Sequence, residues 1–387
     1  MDPNSTEAEH QEPAIYRLPA EMWSEVVGNC DVETLDVLSK VSKECRQQAS
    51  PALFERIKFI GTDIRLYRCL GDLFSRPEEP ATAQILLSVK QATLEIHASF
   101  ELIMADKETF PMRNGVPYKL SRCLVQFIQS MRNLRVLWLQ FPHSFVNQRH
   151  NFIDWLRLSR PWQLNNLRLV GDEEVVTRMI QHCVPGTLEA LHIDSPVGSA
   201  AYRAAAQHHG GIKWLHLLLA NGGDESLMFI PDMTTRTLRR IAVDFAQLEW
   251  LIIDDRNLTC SRNIGLGTIH DVFMRIMSRR FPNLTRLAFT FRVRWLSRVM
   301  LRHRFGDPRR DKWYPYLMHR IANALPNLRE LVMFRKYPQV YRGFREFDGE
   351  ETVVKPETID MTLPETMFPL GLVESSPPEA DPESFVD

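Results

Sequence analysis

Cysteine is scarce in this chain, and no two cysteines are spaced to work together. The six, at positions 30, 45, 69, 123, 183 and 260, form no CxxC pair. Six in 387 residues is far below the density of a disulfide-built scaffold. Long apolar runs are also missing. Trp214–Ala220, already broken by His216, is among the longest and falls well short of the ~18 residues that a membrane span needs. The opening Met1-Asp2-Pro3-Asn4 continues polar and acidic, without a basic leader or an apolar stretch, so no secretory signal is expected. The N-x-S/T triplets at Asn4, Asn257 and Asn283 then have no glycosylation context. Catalytic signatures are absent too: no G-x-S-x-G, no G-x-x-x-x-G-K-[ST], no G-x-G-x-x-G and no H-E-x-x-H. These absences predict a reduced intracellular protein, nuclear, cytoplasmic or both, that is not an enzyme and needs no cofactor, metal or membrane.

What is present looks globular. Apolar residues make up 44% and charged residues 25%, enough for a sizeable core. At roughly 150 residues per domain the length fits two or three domains or one long repeat array. The formal net charge of −1 hides an asymmetry. Arg345–Asp387 holds 12 acids against 2 bases, so this stretch carries −10 and residues 1–344 carry +9. An acidic, solvated tail behind a mildly basic body is the reading.

Residues 1–13 are polar and unpatterned, a disordered lead-in. Residues 14–58 read as three short helices. Pro19 suits a first turn, where its missing N–H is not needed. Met22, Trp23, Val26 and Val27 then recur with helical spacing. Asp31, or alternatively Thr34, caps a second helix carrying Leu35, Leu38, Val41 and Cys45. Pro51 is expected to end that helical run, Leu53-Phe54 follows, and Arg56–Ile60 alternates like a first strand.

Beyond residue 60 a unit recurs: an amphipathic helix, a turn, then Leu-x-x-Leu-x-apolar. The clearest copies are Asn133–Leu139, Asn283–Phe289 and Asn327–Met333, each with Asn in front. Helical spacing precedes them at Leu120–Met131, Ile269–Met277 and Leu317–Leu325. Weaker copies are Leu164/Leu167/Leu169, Leu188/Leu191/Ile193, Ile212/Leu215/Leu217 and Leu238/Ile241/Val243. Copies therefore start at 134, 164, 188, 212, 238, 284 and 328, with gaps of 30, 24, 24, 26, 46 and 44. The expected fold class is α/β: a helical N-terminus followed over 59–344 by a solenoid of short parallel strands alternating with helices. Stacked units share one core that no unit can bury alone. A non-repetitive α/β fold with parallel βαβ units is the alternative. From 345 to 387 a disordered acidic tail is expected, with Phe368–Val373 a small apolar island.

Candidate chemistry is thin. Histidines gather at His182, His208-His209 and His216, but without paired ligand spacing, and read as ordinary surface and core histidines. Asp254-Asp255 near Asp244 has the look of a loop rather than a catalytic pair. One charge feature is unusual: Arg275–Arg320 holds 13 bases against Asp307 and Asp311. Arg292, Arg294, Arg298, Arg302, Arg304, Arg309 and Arg310 are interleaved there with Phe291, Trp295, Phe305 and Trp313. Guanidinium forks suit carboxylates and phosphates, so an acidic or phosphorylated protein segment is the candidate partner; nucleic acid fits less well, because no nucleic-acid motif accompanies the cluster. A solvated face, or docking of the chain's own acidic tail, would also account for it.

The stretch Ile15-Tyr16-Arg17-Leu18-Pro19-Ala20-Glu21-Met22-Trp23-Ser24-Glu25-Val26-Val27 resembles the opening of an F-box. The resemblance continues through Leu35, Leu38, Val41-Ser42-Lys43 and Pro51–Ile57. The whole chain resembles F-box proteins of the fungal type with degenerate leucine-rich repeats. It departs from the family in lacking the Asn/Cys usually found after the strand, and Gly28-Asn29-Cys30 is a less apolar close to the first helix. The resemblance implies a substrate receptor of a Skp–cullin–F-box ubiquitin ligase. The helices would dock on the Skp-family adaptor, and through it a cullin, while the repeats hold a protein substrate. The residues it places on the adaptor are Leu18, Pro19, Met22, Trp23, Val26, Val27, Leu35, Leu38 and Phe54. Independently, a 45-residue trio is too small to bury all these side chains, so some are expected to cover a partner or the first repeat. Packing on the array alone, as its N-terminal cap, is the other reading. The alternative function is a repeat scaffold without a ligase, binding an acidic or phosphorylated partner through the basic C-terminal face.

Overall fold

The computed structural model describes residues 19–74, 80–97, 116–141, 146–218, 235–254, 280–290, 313–336, 339–348 and 351–360. Leu18, the expected helix at Ile269–Met277, the arginines from Arg292 to Arg310 and the Phe368–Val373 island lie outside them.

Three helices open the chain: α1 (Ala20–Gly28), α2 (Val32–Val41) and α3 (Lys43–Leu53). Pro19 is the N-cap of α1 rather than part of its first turn, and its carbonyl accepts the Trp23 N–H at 3.1 Å. Asp31 caps α2, its Oδ1 accepting the Thr34 N–H at 2.7 Å, and hydrogen bonds from the Thr34 side chain and then its N–H hold the Asp31 carboxyl below its ordinary range. Ser42 caps α3 through Cys45 N–H at 3.1 Å. Pro51 does not end the run. The helix carries it in its last turn and closes at Leu53, where a missing N–H costs one bond only.

Eleven strands then form one sheet whose spatial order follows the sequence from first to last. They are β1 (Arg56–Thr62), β2 (Gln91–His97), β3 (Val136–Gln140), β4 (Asn166–Val170), β5 (Ala190–Pro196), β6 (Trp214–Leu218), β7 (Trp250–Asp254), β8 (Arg286–Thr290), β9 (Glu330–Lys336), β10 (Gln339–Asp348) and β11 (Glu351–Asp360). Strands β1 to β9 are parallel; β10 and β11 return antiparallel. Helices punctuate them: α4 (Asp63–Phe74), α5 (Pro80–Ser88), α6 (Val116–Ser130), α7 (Val146–Leu158), α8 (Glu173–His182), α9 (Ser199–Ala206), α10 (Thr235–Asp244) and α11 (Trp313–Ala324). The fold is therefore mixed α/β, with a mostly parallel sheet alternating with helices and no reversal of strand order.

Register explains why the recurrent leucines matter. Ala92, Leu137, Leu167, Leu191, Leu215, Leu251, Leu287 and Leu331 are Cα partners in one row across eight strands. Leu94, Leu139, Leu169, Ile193, Leu217, Ile253, Phe289 and Met333 form a second row two residues on. Side chains two apart share a sheet face, and every residue in both rows is buried in one continuous core with the helices. The backbone repeats as strictly. Each of the Glu55, Lys90, Arg135, Asn165, Glu189, Lys213, Glu249 and Thr285 carbonyls accepts two N–H groups from the start of the next strand. The asparagines ahead of the clearest copies have a role as well. Asn133 Nδ2 donates to the Leu87 carbonyl and Asn327 Nδ2 to the Pro282 carbonyl, each at 2.7 Å, tying a unit to the one before. Asn283 reaches Gln247 Oε1 at 3.3 Å in the same way.

Three expectations are corrected. Leu238, Ile241 and Val243 lie in helix α10, not in a strand; Leu238, Ile241, Ala242 and Phe245 make its buried i, i+3, i+4, i+7 face. The strand of that unit is β7, and its apolar triplet is Leu248/Leu251/Ile253. A unit also precedes the first expected copy, at Val89/Ala92/Leu94 in β2, where Ala takes the leucine's place. Starts at 89, 134, 164, 188, 212, 248, 284 and 328 are spaced by 45, 30, 24, 24, 36, 36 and 44. Finally, ordered strand does not stop near residue 344. β10 and β11 pair from Gln339↔Asp360 to Asp348↔Glu351, so the first part of the expected tail belongs to the sheet. Net acidity masked a β-branched strand, Thr352-Val353-Val354 with Thr358-Ile359, behind the hairpin signal Asp348-Gly349.

Candidate functional site

Two surfaces hold the side chains on which a functional reading can rest. The first is the helical trio. Each helix contributes an i, i+4 pair facing the others: Trp23 and Val27, Leu35 and Ser39, Cys45 and Ala49 are all buried. Trp23, Val27, Leu35, Cys45 and Ala49 form a core separate from that of the sheet, with Cys30, Leu38, Ala52 and Leu53 packed around it. Arg46 Nε bonds the Ser39 carbonyl at 3.0 Å and locks α3 across the end of α2.

This sorts the residues placed on the adaptor. Trp23 and Val27 are only 5% and 7% exposed, and Leu35 is buried, so these three hold the trio together. Leu38 and Phe54 are half-buried, and Pro19 is exposed. Met22 and Val26 stand 49% and 44% exposed on the next row of α1. Sequence spacing could not separate the 22/26 row from the 23/27 row, because both recur at four residues. On α2, Val37 and Val32, which the sequence reading passed over, stand 63% and 66% exposed. Val41, read with Leu35 and Leu38, is also 63% exposed, while Cys45 belongs to α3. Outward valines at i, i+4 opposite Leu35 were the available signal.

The second surface is the sheet face opposite the helices. Its rows interleave with the leucine rows. One runs Trp138, Arg168, His192, His216, Ile252, Ala288, Val332 and Arg342; its neighbour runs Val136, Asn166, Ala190, Trp214, Trp250, Arg286, Glu330 and Phe344. Planar groups stack from strand to strand here. The Arg168 guanidinium lies 3.8 Å from the Trp138 ring centre and Arg286 lies 4.2 Å from that of Trp250. Trp214 stacks on Trp250 with centroids 4.7 Å apart and planes 18° from parallel. That spacing is the strand separation itself. Arg168 pairs with Asp194 at 3.1 Å, while Glu330 receives Arg342 at 2.7 Å and Arg286 at 3.3 Å. Burial pushes the Glu330 carboxyl up, opposed by these two guanidinium groups. Ala190, Trp250, Ile252, Ala288 and Val332 make a small second core on this face, with Trp214 and Phe334 against it.

None of these open-face positions was singled out from sequence except His216. Apart from Arg342 and Phe344 on β10, they occupy the two x positions flanking the second leucine of each copy, so reading the copies as columns would have found them. The arginines that were singled out, Arg292 to Arg310, lie outside the described residues. Asp254 is buried at the end of β7, and Asp244 accepts the Tyr202 hydroxyl at 2.8 Å, stitching α9 to α10. Among the described residues no three His, Cys, Asp or Glu side chains group so as to hold a metal ion. No helix among them is long and apolar enough to cross a membrane. Most side chains of this sheet face are buried or half-buried, and its guanidinium groups are already paired with Asp194 and Glu330. No known protein-family model matches the chain, and no curated protein matches it.

Proposed function

We propose that this protein is a non-catalytic substrate receptor of the F-box type, whose helical trio docks on a Skp-family adaptor of a cullin ubiquitin ligase. Its strand–helix array, of leucine-rich-repeat character, presents a protein substrate. The observation that carries the reading is the outward row Met22/Val26, with Val37/Val41, on a trio that already has a complete core of its own. These four apolar side chains left in water on two short helices cost free energy that a partner's groove would recover. The Leu-Pro-x-Glu opening and the Leu-Phe ending of the trio support the identity of that partner. Affinity capture from cell extract with the full chain should recover the adaptor, identified by mass spectrometry, and a chain beginning at residue 60 should not. Equal recovery by both rejects the reading.

A second reading is a repeat scaffold without a ligase. It rests on the basic cluster from Arg292 to Arg310, which lies outside the described residues, since Arg168, Arg286 and Arg342 are already paired with Asp194 and Glu330. Under it, capture of an acidic or phosphorylated partner would survive removal of the trio and weaken with salt.

A further inference from the structure

Four histidines converge on one stretch of the array, from the end of α8 to β6. His182 closes α8, with its Nε2 2.8 Å from Ser159 Oγ and 3.0 Å from the Arg160 carbonyl. Its ring meets Trp162 edge to face. His208 follows α9. Its Nε2–H donates to the Ile180 carbonyl at 3.0 Å, and its Nδ1 is buried without a hydrogen-bond partner. His192 on β5 and His216 on β6 are register partners on the open face, stacked with centroids 3.8 Å apart and planes 25° from parallel. His192, His208 and His216 are buried.

The settings of His182 and His208 suit neutral rings. In His208, Nε2 must carry hydrogen to bond a carbonyl, so a second proton would have to enter at Nδ1, where no acceptor waits. The neighbouring strands set the local charge. β4 brings Arg168 into the same row, partly met by Asp194 of β5, and β7 brings uncharged Ile252 opposite His216, with buried Asp254 two residues on. Among the described residues no carboxylate pairs with His182 or His208.

We propose that the block from α8 to β6 is an acid-sensitive point of the array, loosening reversibly in mild acid before the strands on either side. Burial also pushes His182 and His208 below the ordinary imidazole range, with their backbone bonds to Arg160 and Ile180 opposing. The sign follows. A folded state that holds these rings neutral binds fewer protons than the unfolded chain. Stability is therefore full above the ordinary histidine range and falls as pH drops through it. The rest of the described molecule has no counterpart: residues 19–55 contain no histidine, and His97, His150, His209 and His319 are exposed.

Amide hydrogen exchange on the full chain at about pH 7.5 and about pH 5.5, corrected for intrinsic rates, tests this directly. Protection in β5, α9 and β6 should fall by at least about tenfold at the lower pH, while β8, β9 and the trio keep theirs. A uniform loss, or none, overturns the proposal. His208→Gln keeps a donor for the Ile180 carbonyl but cannot take a proton, so its pH response should be smaller; a response equal to the parent's also counts against the proposal. Histidine C2 exchange on the unaltered chain needs no substitution. Midpoints for His182 and His208 below the ordinary imidazole range support the proposal, and ordinary midpoints reject it. Adaptor capture through the histidine-free trio should be the same at both pH values, so the proposal can fail while the adaptor reading stands, and the reverse.

Discussion

The trio and the array solve the same packing problem in opposite ways. Three helices of 9, 10 and 11 residues close on five buried side chains. The array has no such boundary: its core runs unbroken from Leu66 to Tyr341 because every strand–helix unit leans on the next. A closed small core leaves apolar rows over, whereas a stacked core leaves over only its ends and its second sheet face. That difference is why the side chains left outside the main core are aliphatic on the trio and planar, aromatic and charged on the array. The array's C-terminal end is finished by the β10–β11 hairpin, and Arg345 reaches from β10 to the Ala322 and Pro326 carbonyls at the close of α11. The hairpin thereby covers the last parallel strand of the array.

Substitutions should break the two regions separately. Leu215→Ala, in the middle of the leucine row and fully buried, should cost about 2–5 kcal/mol and lower the main unfolding transition in denaturant. Trp23→Ala should cost the trio about 3–5 kcal/mol, enough to melt a core of that size. It should leave the array's transition where it was. A single shared transition shifted equally by both changes would mean that the regions are one cooperative unit. A smaller effect separates the unit-to-unit ties from the core. Asn133→Ala and Asn327→Ala each remove one bond to a neighbouring unit's carbonyl and should cost about 0.5–1.5 kcal/mol in the same experiment. Asn283→Ala, whose bond is longer and runs to an exposed glutamine, should cost less.

Much of this was legible in the sequence, for a physical reason. A solenoid repeats its burial pattern, so Leu-x-x-Leu-x-apolar marks a strand wherever the helix before it also shows its own period. The pattern failed where the two periods overlap. Leu238-x-x-Ile241 satisfies both, and only the following Phe245 and Leu248 show that the strand comes later. It failed again at Val89/Ala92/Leu94, where a small residue fills the leucine position. The trio's helices and its Asp31 cap were readable from local chemistry. Which of two adjacent rows on α1 faces inward depends on where α3 sits, and that is tertiary information. The sheet face opposite the helices went unseen because its residues vary from strand to strand, whereas the leucine rows do not.

The most direct measurement is calorimetric titration of the purified full chain with a purified Skp-family adaptor, comparing Met22→Glu with Val26→Glu against Trp250→Ala with Arg286→Ala. The expected result is tight binding by the parent chain, weakened about a hundredfold or more by the two α1 changes, as truncation of interface anchors commonly does. The open-face pair should leave it unchanged. Binding that survives both α1 charges on a still-folded trio, or no binding by the parent chain, would contradict the assignment of that helical surface to an adaptor.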